Sequence, residues 1–186
     1  MRRFILVCSA ATKSQRSARF PTADEPADLG HQVRREQFSF RTPDRIYCAP
    51  EQRAKDTAQL FGDQLLLESA LRDCDFGKWQ GRSLGEIQEG DPTGTLSWLS
   101  EANATPHGGE SIEEVQRRAA HWLDANSDPG LSLVITHAPV VRAIILHILQ
   151  APFSAFWRVD VEPLCALDMR SNGQRWSIRS LNNGQP

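Results

Sequence analysis

Short apolar runs, separated by longer amphipathic stretches, set the pattern of the chain. Residues 4–8 (Phe-Ile-Leu-Val-Cys) are a continuous, partly β-branched run, which is typical of a strand buried on both faces of a sheet. Residues 45–48 form a shorter run of this kind, and residues 131–136 form a strong third one. The pattern therefore predicts three strands inside a sheet.

Helix signals alternate with these strands. After Pro50, apolar residues at 54, 58, 60 and 61 recur at roughly helical spacing. Residues 111–114 (Ser-Ile-Glu-Glu) match a capping box and open a predicted helix that runs to about Asn126. Pro139 suits a first helical position, and it precedes an apolar helical face at 140, 141, 144, 145 and 148.

The remaining segments complete the predicted fold. Residues 163–169 and 175–181, separated by Asn172-Gly173, predict a closing hairpin. Residues 20–43 and 72–110 are richer in Gly, Pro and charge, and we interpret them as loops or lids. The order predicts an α/β fold: one three-layer domain over residues 1–186, with a central, mostly parallel sheet and helices on both faces.

Composition narrows the classes of function. The chain has 186 residues with 21 basic and 23 acidic side chains, a net charge of -2, so no strongly basic face for nucleic acid is expected. Its four cysteines form no C-x-x-C pair, and no His/Asp/Glu cluster has the spacing of metal ligands. We expect no metal, no cofactor and a reducing, cytoplasmic location. The sequence predicts no oligomeric state.

Membrane and secretory roles are not expected either. The first residues, Met-Arg-Arg before the apolar run and Ser-Ala-Ala after it, superficially resemble a signal peptide. The apolar run is only five residues long, however, against the roughly 7 to 15 that a secretory segment needs. No stretch approaches the roughly 18 apolar residues of a membrane span. We therefore expect a soluble protein without a membrane partner.

Polar residues follow the predicted strands. Ser9 follows the first strand, Arg53 lies just past the second, and His137 follows the third. In open α/β sheets, functional groups cluster beyond the carboxyl ends of the strands. We expect these three side chains to converge.

Four separate segments resemble the histidine phosphatase superfamily, the phosphoglycerate mutase-like proteins, in the correct order. The family's Ser-Pro-x-x-Arg-Ala-x-x-Thr-Ala is matched by residues 49–58 (Ala-Pro-Glu-Gln-Arg-Ala-Lys-Asp-Thr-Ala). Its Leu-x-Glu-x-x-Phe-Gly-x-Trp-Glu-Gly is matched by residues 71–81 (Leu-Arg-Asp-Cys-Asp-Phe-Gly-Lys-Trp-Gln-Gly). Gly-Gly-Glu-Ser stands at 108–111, and Val-x-x-His-Gly becomes Val-Ile-Thr-His-Ala at 134–138.

The resemblance implies roles for particular residues. In the family a first His attacks phosphorus, two Arg and a second His hold the phosphoryl oxygens, and an acidic residue protonates the leaving oxygen, which matches the needs of phosphoryl transfer. Carried over, Arg53 and His137 would clamp phosphate and Asp73 would donate the proton, with Asp75 nearby. Arg19 would help to hold the substrate, unless it pairs with Asp24 or Asp28. His107, His121 and His147 are interpreted as structural.

The departures from the family lie in the first segment. Arg-His-Gly-x-Thr is replaced by Cys8-Ser9-Ala10-Ala11-Thr12, and the family's following Asn and Arg correspond to Gln15 and Arg19. Thr12 and Gln15 match substrate-binding positions. Cys8 removes a guanidinium, Ala10 adds a Cβ where the backbone approaches phosphate, and Ser9 removes the nucleophile. A serine hydroxyl is a weak nucleophile without a neighbouring base, so Ser9 would need His137 for that role.

Cys8 is not a convincing substitute nucleophile. Cysteine phosphatases place an Arg after five intervening residues, whereas here that position is Ser14 and the next Arg is Arg16. Packing at the end of a strand is the better interpretation of Cys8. No Gly-x-x-x-x-Gly-Lys is present, which excludes a nucleotide P-loop.

These observations predict a pocket for a small phosphorylated molecule or free phosphate, with catalysis impaired at Ser9. The alternatives are an active phosphomonoesterase with an altered mechanism, such as a ribazole-phosphate phosphatase, and a non-catalytic interaction module. A serine introduced in place of histidine also stays open. A mutase is disfavoured, because it needs the histidine and is usually longer.

Overall fold

One six-stranded sheet organises the molecule, which a computed structural model describes at residues 1–30, 33 and 35–182. The strand order is β3-β2-β4-β1-β5-β6. β1 to β4 run parallel, and β5 and β6 add an antiparallel edge. The strands are β1 (Arg2–Cys8), β2 (Arg45–Cys48), β3 (Leu65–Leu67), β4 (Gly130–Thr136), β5 (Ala166–Ser171) and β6 (Trp176–Asn182).

Helices cover this sheet, as expected for a three-layer α/β fold. They are α1 (Lys13–Arg16), α2 (Gln52–Ala58), α3 (Leu84–Gly90), α4 (Pro92–Ser100), α5 (Ile112–Ala125) and α6 (Ala138–Leu149). Short 3₁₀ turns occur at Arg35–Gln37, Ser69–Leu71, Gly77–Trp79 and Phe153–Arg158. α2 packs on β2 and β4, while α5 and α6 pack against each other. The predicted mostly parallel sheet with helices is confirmed.

The core forms where β1 and β4 pair in the centre of the sheet. Both strands are buried almost throughout, which explains their continuous apolar runs. Trp122 of α5 packs against Phe4 and Tyr47, with ring centroids 5.8 and 5.4 Å apart. Phe4 and Ile5 are adjacent in β1 and therefore point to opposite faces. Both are buried, so apolar groups cover the sheet on each side.

The capping signals are confirmed at α5. The Ser111 hydroxyl accepts a hydrogen bond from the Glu114 amide (3.2 Å), and the Glu114 carboxylate accepts one from the Ser111 amide (2.8 Å). The helix ends at Ala125, with Asn126 as its C-cap. Pro139 lies in the first turn of α6, whose N-cap is His137.

Other expectations need correction. Residues 72–110 are not only loops, because Ser83 caps α3 through a capping box and the Asp91 carboxylate caps α4. β3 was missed, since its three leucines are half-buried or exposed and carry no strand pattern. The helix after Pro50 is shorter than its apolar spacing suggests and ends at Ala58. Within residues 20–43, positions 31, 32 and 34 lie outside the described residues.

A close backbone crossing fixes the loop that carries Asp73. A Cβ on Gly109 would collide with the carbonyl oxygen of Asp75, and a Cβ on Gly77 would collide with that of His107. Gly77 also has φ +44°, which favours glycine. The two motif segments at 71–81 and 108–111 therefore depend on glycine for their mutual contact.

Candidate active site

The sheet itself places Ser9 beside His137. The parallel register pairs Cys8 of β1 with Thr136 of β4. The Ser9 amide then donates to the Thr136 carbonyl at 2.7 Å, which extends the ladder by one bond. The first residues beyond both strands are therefore neighbours, and the predicted convergence of Ser9 and His137 is observed.

His137 bridges Ser9 and a carboxylate that the motif comparison passed over. Its Nδ1 lies 3.2 Å from Ser9 Oγ, and its Nε2 lies 2.8 Å from Glu51 Oε2. All three side chains are buried, with residue exposures of 4% for Ser9, 2% for His137 and 8% for Glu51. The result is a continuous hydrogen-bonded chain from hydroxyl to imidazole to carboxylate.

The ionisation of Glu51 decides which way these hydrogen bonds run. Burial works to raise the pKa of Glu51, but the hydrogen bond and charge of His137 outweigh it and lower the pKa to about 2. Glu51 is therefore a carboxylate at neutral pH, and it accepts the proton on Nε2. When the imidazole is neutral with its proton on Nε2, Nδ1 is the acceptor that faces the Ser9 hydroxyl.

Arg53 and Asp73 complete the group beneath Ser9. Arg53 Nη2 donates to Asp73 Oδ2 at 2.7 Å, and its Nη1 donates to the Thr22 carbonyl at 2.8 Å. Asp73 Oδ2 also lies 3.9 Å from His137 Nδ1. Glu51 Oε1 accepts from the Asp73 amide at 3.1 Å, which joins the two carboxylates. We call Ser9, Glu51, Arg53, Asp73 and His137 the site cluster.

A cavity of about 530 Å³ lies over Ser9, Asp73 and His137. Arg53 and Glu51 do not line it; they border a second cavity of about 330 Å³ on the other side of Asp73. The larger cavity has both aromatic and cationic walls, which include Phe20, Phe76, Trp98, Trp157, Arg16, Arg19 and Arg142. The phosphate-clamp position of Arg53 is therefore occupied by an internal ion pair and is not open to this cavity.

The three arginines in the cavity wall differ in how they are held. Arg16 and Arg19 form ion pairs at the rim, Arg16 with Asp28 at 2.8 Å and Arg19 with Glu86 at 3.1 Å. Arg142 instead donates from Nε to the Val159 carbonyl at 2.8 Å and stacks over Phe156 and Trp157. It forms no salt bridge with any carboxylate in the described part of the chain.

The other residues predicted to bind substrate differ in whether they reach the cavity. Cys8 and Gln15 line the cavity, whereas Thr12 does not. Thr12 and Gln15 form the capping box of α1, so both side chains serve the local backbone. Arg19 pairs with Glu86 and not with Asp24 or Asp28, which corrects that alternative.

Cys8 and Ala10, on either side of Ser9, are held by the surrounding structure. Cys8 is buried at the end of β1, as expected, and burial raises the pKa of its thiol far above the ordinary value. It is therefore a poor thiolate nucleophile. The Ala10 amide donates to Thr57 Oγ1 at 3.0 Å, so this backbone group is already engaged.

The histidines interpreted as structural take no part in the site cluster. His107 is buried against Trp79, with ring centroids 4.9 Å apart, and its Nδ1 accepts from the Gly109 amide at 3.0 Å. His147 pairs with Asp124 at 3.0 Å on the surface.

Among residues 1–30, 33 and 35–182, no group of three or more His, Cys, Asp or Glu side chains is arranged to hold a metal ion. No helix in this same part of the chain has the length and apolar character needed to cross a membrane.

Glu51 was missed because it occupies a variable position of the motif. Its signal was nevertheless present: Glu51 follows Pro50 and lies three residues after the end of β2, so it lies at the same sheet edge as Ser9 and His137. The strand-end argument that selected Arg53 applies equally to this carboxylate two residues earlier.

A family profile described as the histidine phosphatase superfamily (branch 1) matches residues 30–184. The chain belongs to the histidine phosphatase superfamily. The match begins after the segment that carries Ser9, so it covers Arg53, Asp73 and His137 but not the altered first motif.

Individual relatives are similar over much of the chain. A bifunctional protein of Mycobacterium tuberculosis is 30% identical over 146 residues, which is 74% of this chain but only 40% of that protein. The adenosylcobalamin/α-ribazole phosphatase of Salmonella typhimurium is 30% identical over 131 residues, covering 66% of this chain and 64% of the relative. This chain thus spans well under half of the mycobacterial relative.

Solved structures show the same fold. A mycobacterial glucosyl-3-phosphoglycerate phosphatase, solved in complex with VO3, superposes with a TM-score of 0.82 and 22% identity, covering 98% of this chain and 99% of that chain. Bacillus stearothermophilus YhfR gives a TM-score of 0.85 at 19% identity, over 100% of this chain and 98% of that one. At these identities the likeness concerns the fold alone.

Proposed function

We propose that this superfamily member binds a small phosphorylated molecule, or free phosphate, in the cavity above Ser9 and forms no phosphohistidine. The observation that carries the proposal is the serine at the cavity floor. Among the described residues that line this cavity, His137 is the single histidine, and its two ring nitrogens face Ser9 and Glu51. No imidazole nitrogen is left to attack phosphorus.

The ligand class is supported by the cavity wall and by the relatives. Arg142 presents a guanidinium that forms no salt bridge within the described residues, although the charge of Asp160 acts on it, and Arg16 and Arg19 add positive charge at the rim. Guanidinium groups suit phosphate oxygens because their fork of donors matches them. Relatives of this chain are named as an adenosylcobalamin/α-ribazole phosphatase and as glucosyl-3-phosphoglycerate phosphatases, and the second name specifies a small phosphorylated compound.

Calorimetry with inorganic phosphate and phosphoserine tests the binding. We expect Arg142→Met to weaken the affinity about 10-fold or more, because a hydrogen bond to a charged group contributes roughly 1.5–3 kcal/mol. Arg117→Met is the matched control, since Arg117 is exposed on α5 and distant from the cavity lining. The absence of any heat of binding at millimolar phosphate would overturn the proposed ligand class.

Turnover of phosphoserine and p-nitrophenyl phosphate tests the claim that no phosphohistidine forms. We expect no acid-labile phosphoenzyme in the unchanged protein, and a gain of turnover in Ser9→His combined with Cys8→Arg. The gain is expected because these substitutions return the nucleophile and the first phosphate clamp to a scaffold that keeps His137 and Asp73. A phosphohistidine in the unchanged protein would contradict the proposal.

A further inference from the structure

We infer that Ser9, His137 and Glu51 form a nucleophilic relay that hydrolyses small carboxylic esters, with Ser9 Oγ attacking the carbonyl carbon. The inference rests on the geometry of these three side chains and is independent of phosphate binding. The relay acts on a carboxylic ester, whereas the proposed function concerns the binding of a phosphate. An experiment can therefore refute one proposal and leave the other standing.

The three side chains are arranged for proton transfer away from Ser9. A serine hydroxyl becomes an effective nucleophile when a hydrogen-bonded base takes its proton, and that base is held by a third group. Here Ser9 Oγ and His137 Nδ1 are 3.2 Å apart, and Glu51 holds Nε2 at 2.8 Å. With the Nε2 proton on the Glu51 side, Nδ1 is the free base and faces the hydroxyl.

The surroundings also stabilise the charge that attack creates. When Nδ1 takes the Ser9 proton, the imidazolium lies between Glu51 and Asp73, whose Oδ2 is 3.9 Å from Nδ1. His137 is buried, so these carboxylates act with little screening from water. Arg53 offsets part of the charge of Asp73 through its ion pair.

The same charges favour an acyl group over a phosphoryl group at Ser9. With His137 neutral, the site cluster carries one more negative charge than positive charge, and Arg53 is committed to Asp73 and the Thr22 carbonyl. Directly at Ser9 this charge balance disfavours a phosphate dianion, which the proposal above places against Arg16, Arg19 and Arg142 of the cavity wall, whereas an ester carbonyl is uncharged. Aromatic walls at Phe20, Trp98 and Trp157 suit the apolar part of such an ester.

Two backbone amides are available for the oxyanion. Ala11 and Ala138 line the cavity, and neither of their N–H groups has an acceptor in the described part of the chain. Ala138 is the first residue of α6, where the helix dipole adds partial positive charge. We expect these N–H groups to meet the negative charge on the carbonyl oxygen.

The reaction balances with water as the second reactant. Ser9 Oγ bonds to the carbonyl carbon as its proton moves to His137 Nδ1, and that proton then leaves with the alcohol as the ester C–O bond breaks. The acyl group is now an ester of Ser9. Water loses a proton to Nδ1 and attacks this ester, and the proton returns to Ser9 Oγ as the carboxylic acid is released.

Covalent labelling is the first test. An uncharged alkyl fluorophosphonate should add one label per chain by intact mass, located in the tryptic peptide of residues 4–13, whose hydroxyl residues are Ser9 and Thr12. Ser9→Ala should abolish the label, while Ser17→Ala, an exposed serine outside the cavity lining, should keep it. An unlabelled protein, or a label that survives Ser9→Ala, would overturn the inference.

Ester hydrolysis separates a relay from a merely structural arrangement. With p-nitrophenyl acetate and butyrate, we expect Ser9→Ala to remove turnover and Glu51→Gln to lower kcat about 100-fold or more with KM nearly unchanged, because Glu51 acts through His137. Glu51→Asp should restore part of this loss, and the exposed Glu89→Gln should have no effect.

Two further outcomes count against the inference. Equal ester turnover in Glu51→Gln and the unchanged protein would remove Glu51 from the relay. Ser9-dependent turnover of phosphoserine without ester turnover would assign Ser9 to phosphoryl transfer. Failure to bind phosphate in calorimetry would overturn only the ligand class proposed above, since labelling and ester turnover use uncharged probes.

Discussion

Two charge clusters, each around buried carboxylates, meet at the segment 71–73, and they are built differently. The first is the site cluster. The second, which we call the clamp cluster, comprises Arg72, Glu110 and Arg118. Arg118 donates twice to the Glu110 carboxylate at 2.7 and 2.9 Å and also to the carbonyls of Ala70 and Asp73. Every nitrogen of its guanidinium has a partner.

The site cluster is less complete. Within the described residues, Arg53 Nε has no hydrogen-bond partner, and the Ser9 hydroxyl ends the series of hydrogen bonds at the cavity. Buried polar groups that serve only stability are normally satisfied, and exceptions call for an explanation. The clamp cluster therefore holds the backbone of Asp73 in place, while the site cluster leaves a hydroxyl and an imidazole facing a cavity.

The largest expected effect is in the clamp cluster. Among the described residues, Arg118→Met leaves the buried Glu110 carboxylate with Arg72 alone, which is itself partly exposed, and it removes the side-chain donor to the carbonyls of Ala70 and Asp73. We expect a loss of about 4 kcal/mol in the free energy of unfolding, measured by urea denaturation. The neighbouring Arg117→Met is the control, because Arg117 is exposed and 3.9 Å from its partner. Equal losses in both variants would contradict a stabilising role for the clamp cluster.

An intermediate effect is expected for Glu51→Gln. Glu51 has its pKa lowered from 4.5 to about 2, so it contributes stability that is present above about pH 4.5 and is lost as the pH falls toward about 2. The variant should lose about 2 kcal/mol at pH 6 and show a flatter dependence of stability on pH below 4.5. Thermal unfolding from pH 6 to pH 3 measures this. If stability depends on pH in the same way in the variant and the unchanged protein, the pKa of Glu51 does not change on folding and this prediction is wrong.

The smallest effect on stability is expected for Ser9→Ala. The substitution removes one hydrogen bond to His137 and leaves the imidazole bonded to Glu51, so the change in unfolding free energy should stay below about 1 kcal/mol. Differential scanning calorimetry measures it. A loss as large as that of Arg118→Met would place Ser9 among the structural residues and remove the contrast between the clusters.

The fold was largely predictable because its central strands are buried on both faces. Continuous apolar runs identified β1 and β4, and the Ser-x-x-Glu signal located the start of α5. β3 lacks such a signal, since two of its leucines are exposed and their side chains gain little from burial. α3 and α4 follow caps at Ser83 and Asp91 inside a segment whose composition is typical of loops.

The site was only partly predictable. Strand ends and motif positions located Ser9, Asp73 and His137, which do meet. The partner of Arg53 and the bridge from His137 to Glu51 were not foreseen, because a motif gives positions along the chain and not distances between side chains. Arg19 shows the same limit: its carboxylate partner, Glu86, lies 67 positions away in sequence, whereas Asp24 and Asp28 are close in sequence but unpaired with it.

The register between β1 and β4 has a consequence for engineering. Because backbone hydrogen bonds fix Cys8 opposite Thr136, any residue at position 9 is presented to His137 without help from its own side chain. Different nucleophilic side chains can therefore be introduced at position 9 without changing the backbone that positions them. Hydroxyl, thiol and imidazole groups can be compared at one position, against one base, with the rest of the protein unchanged.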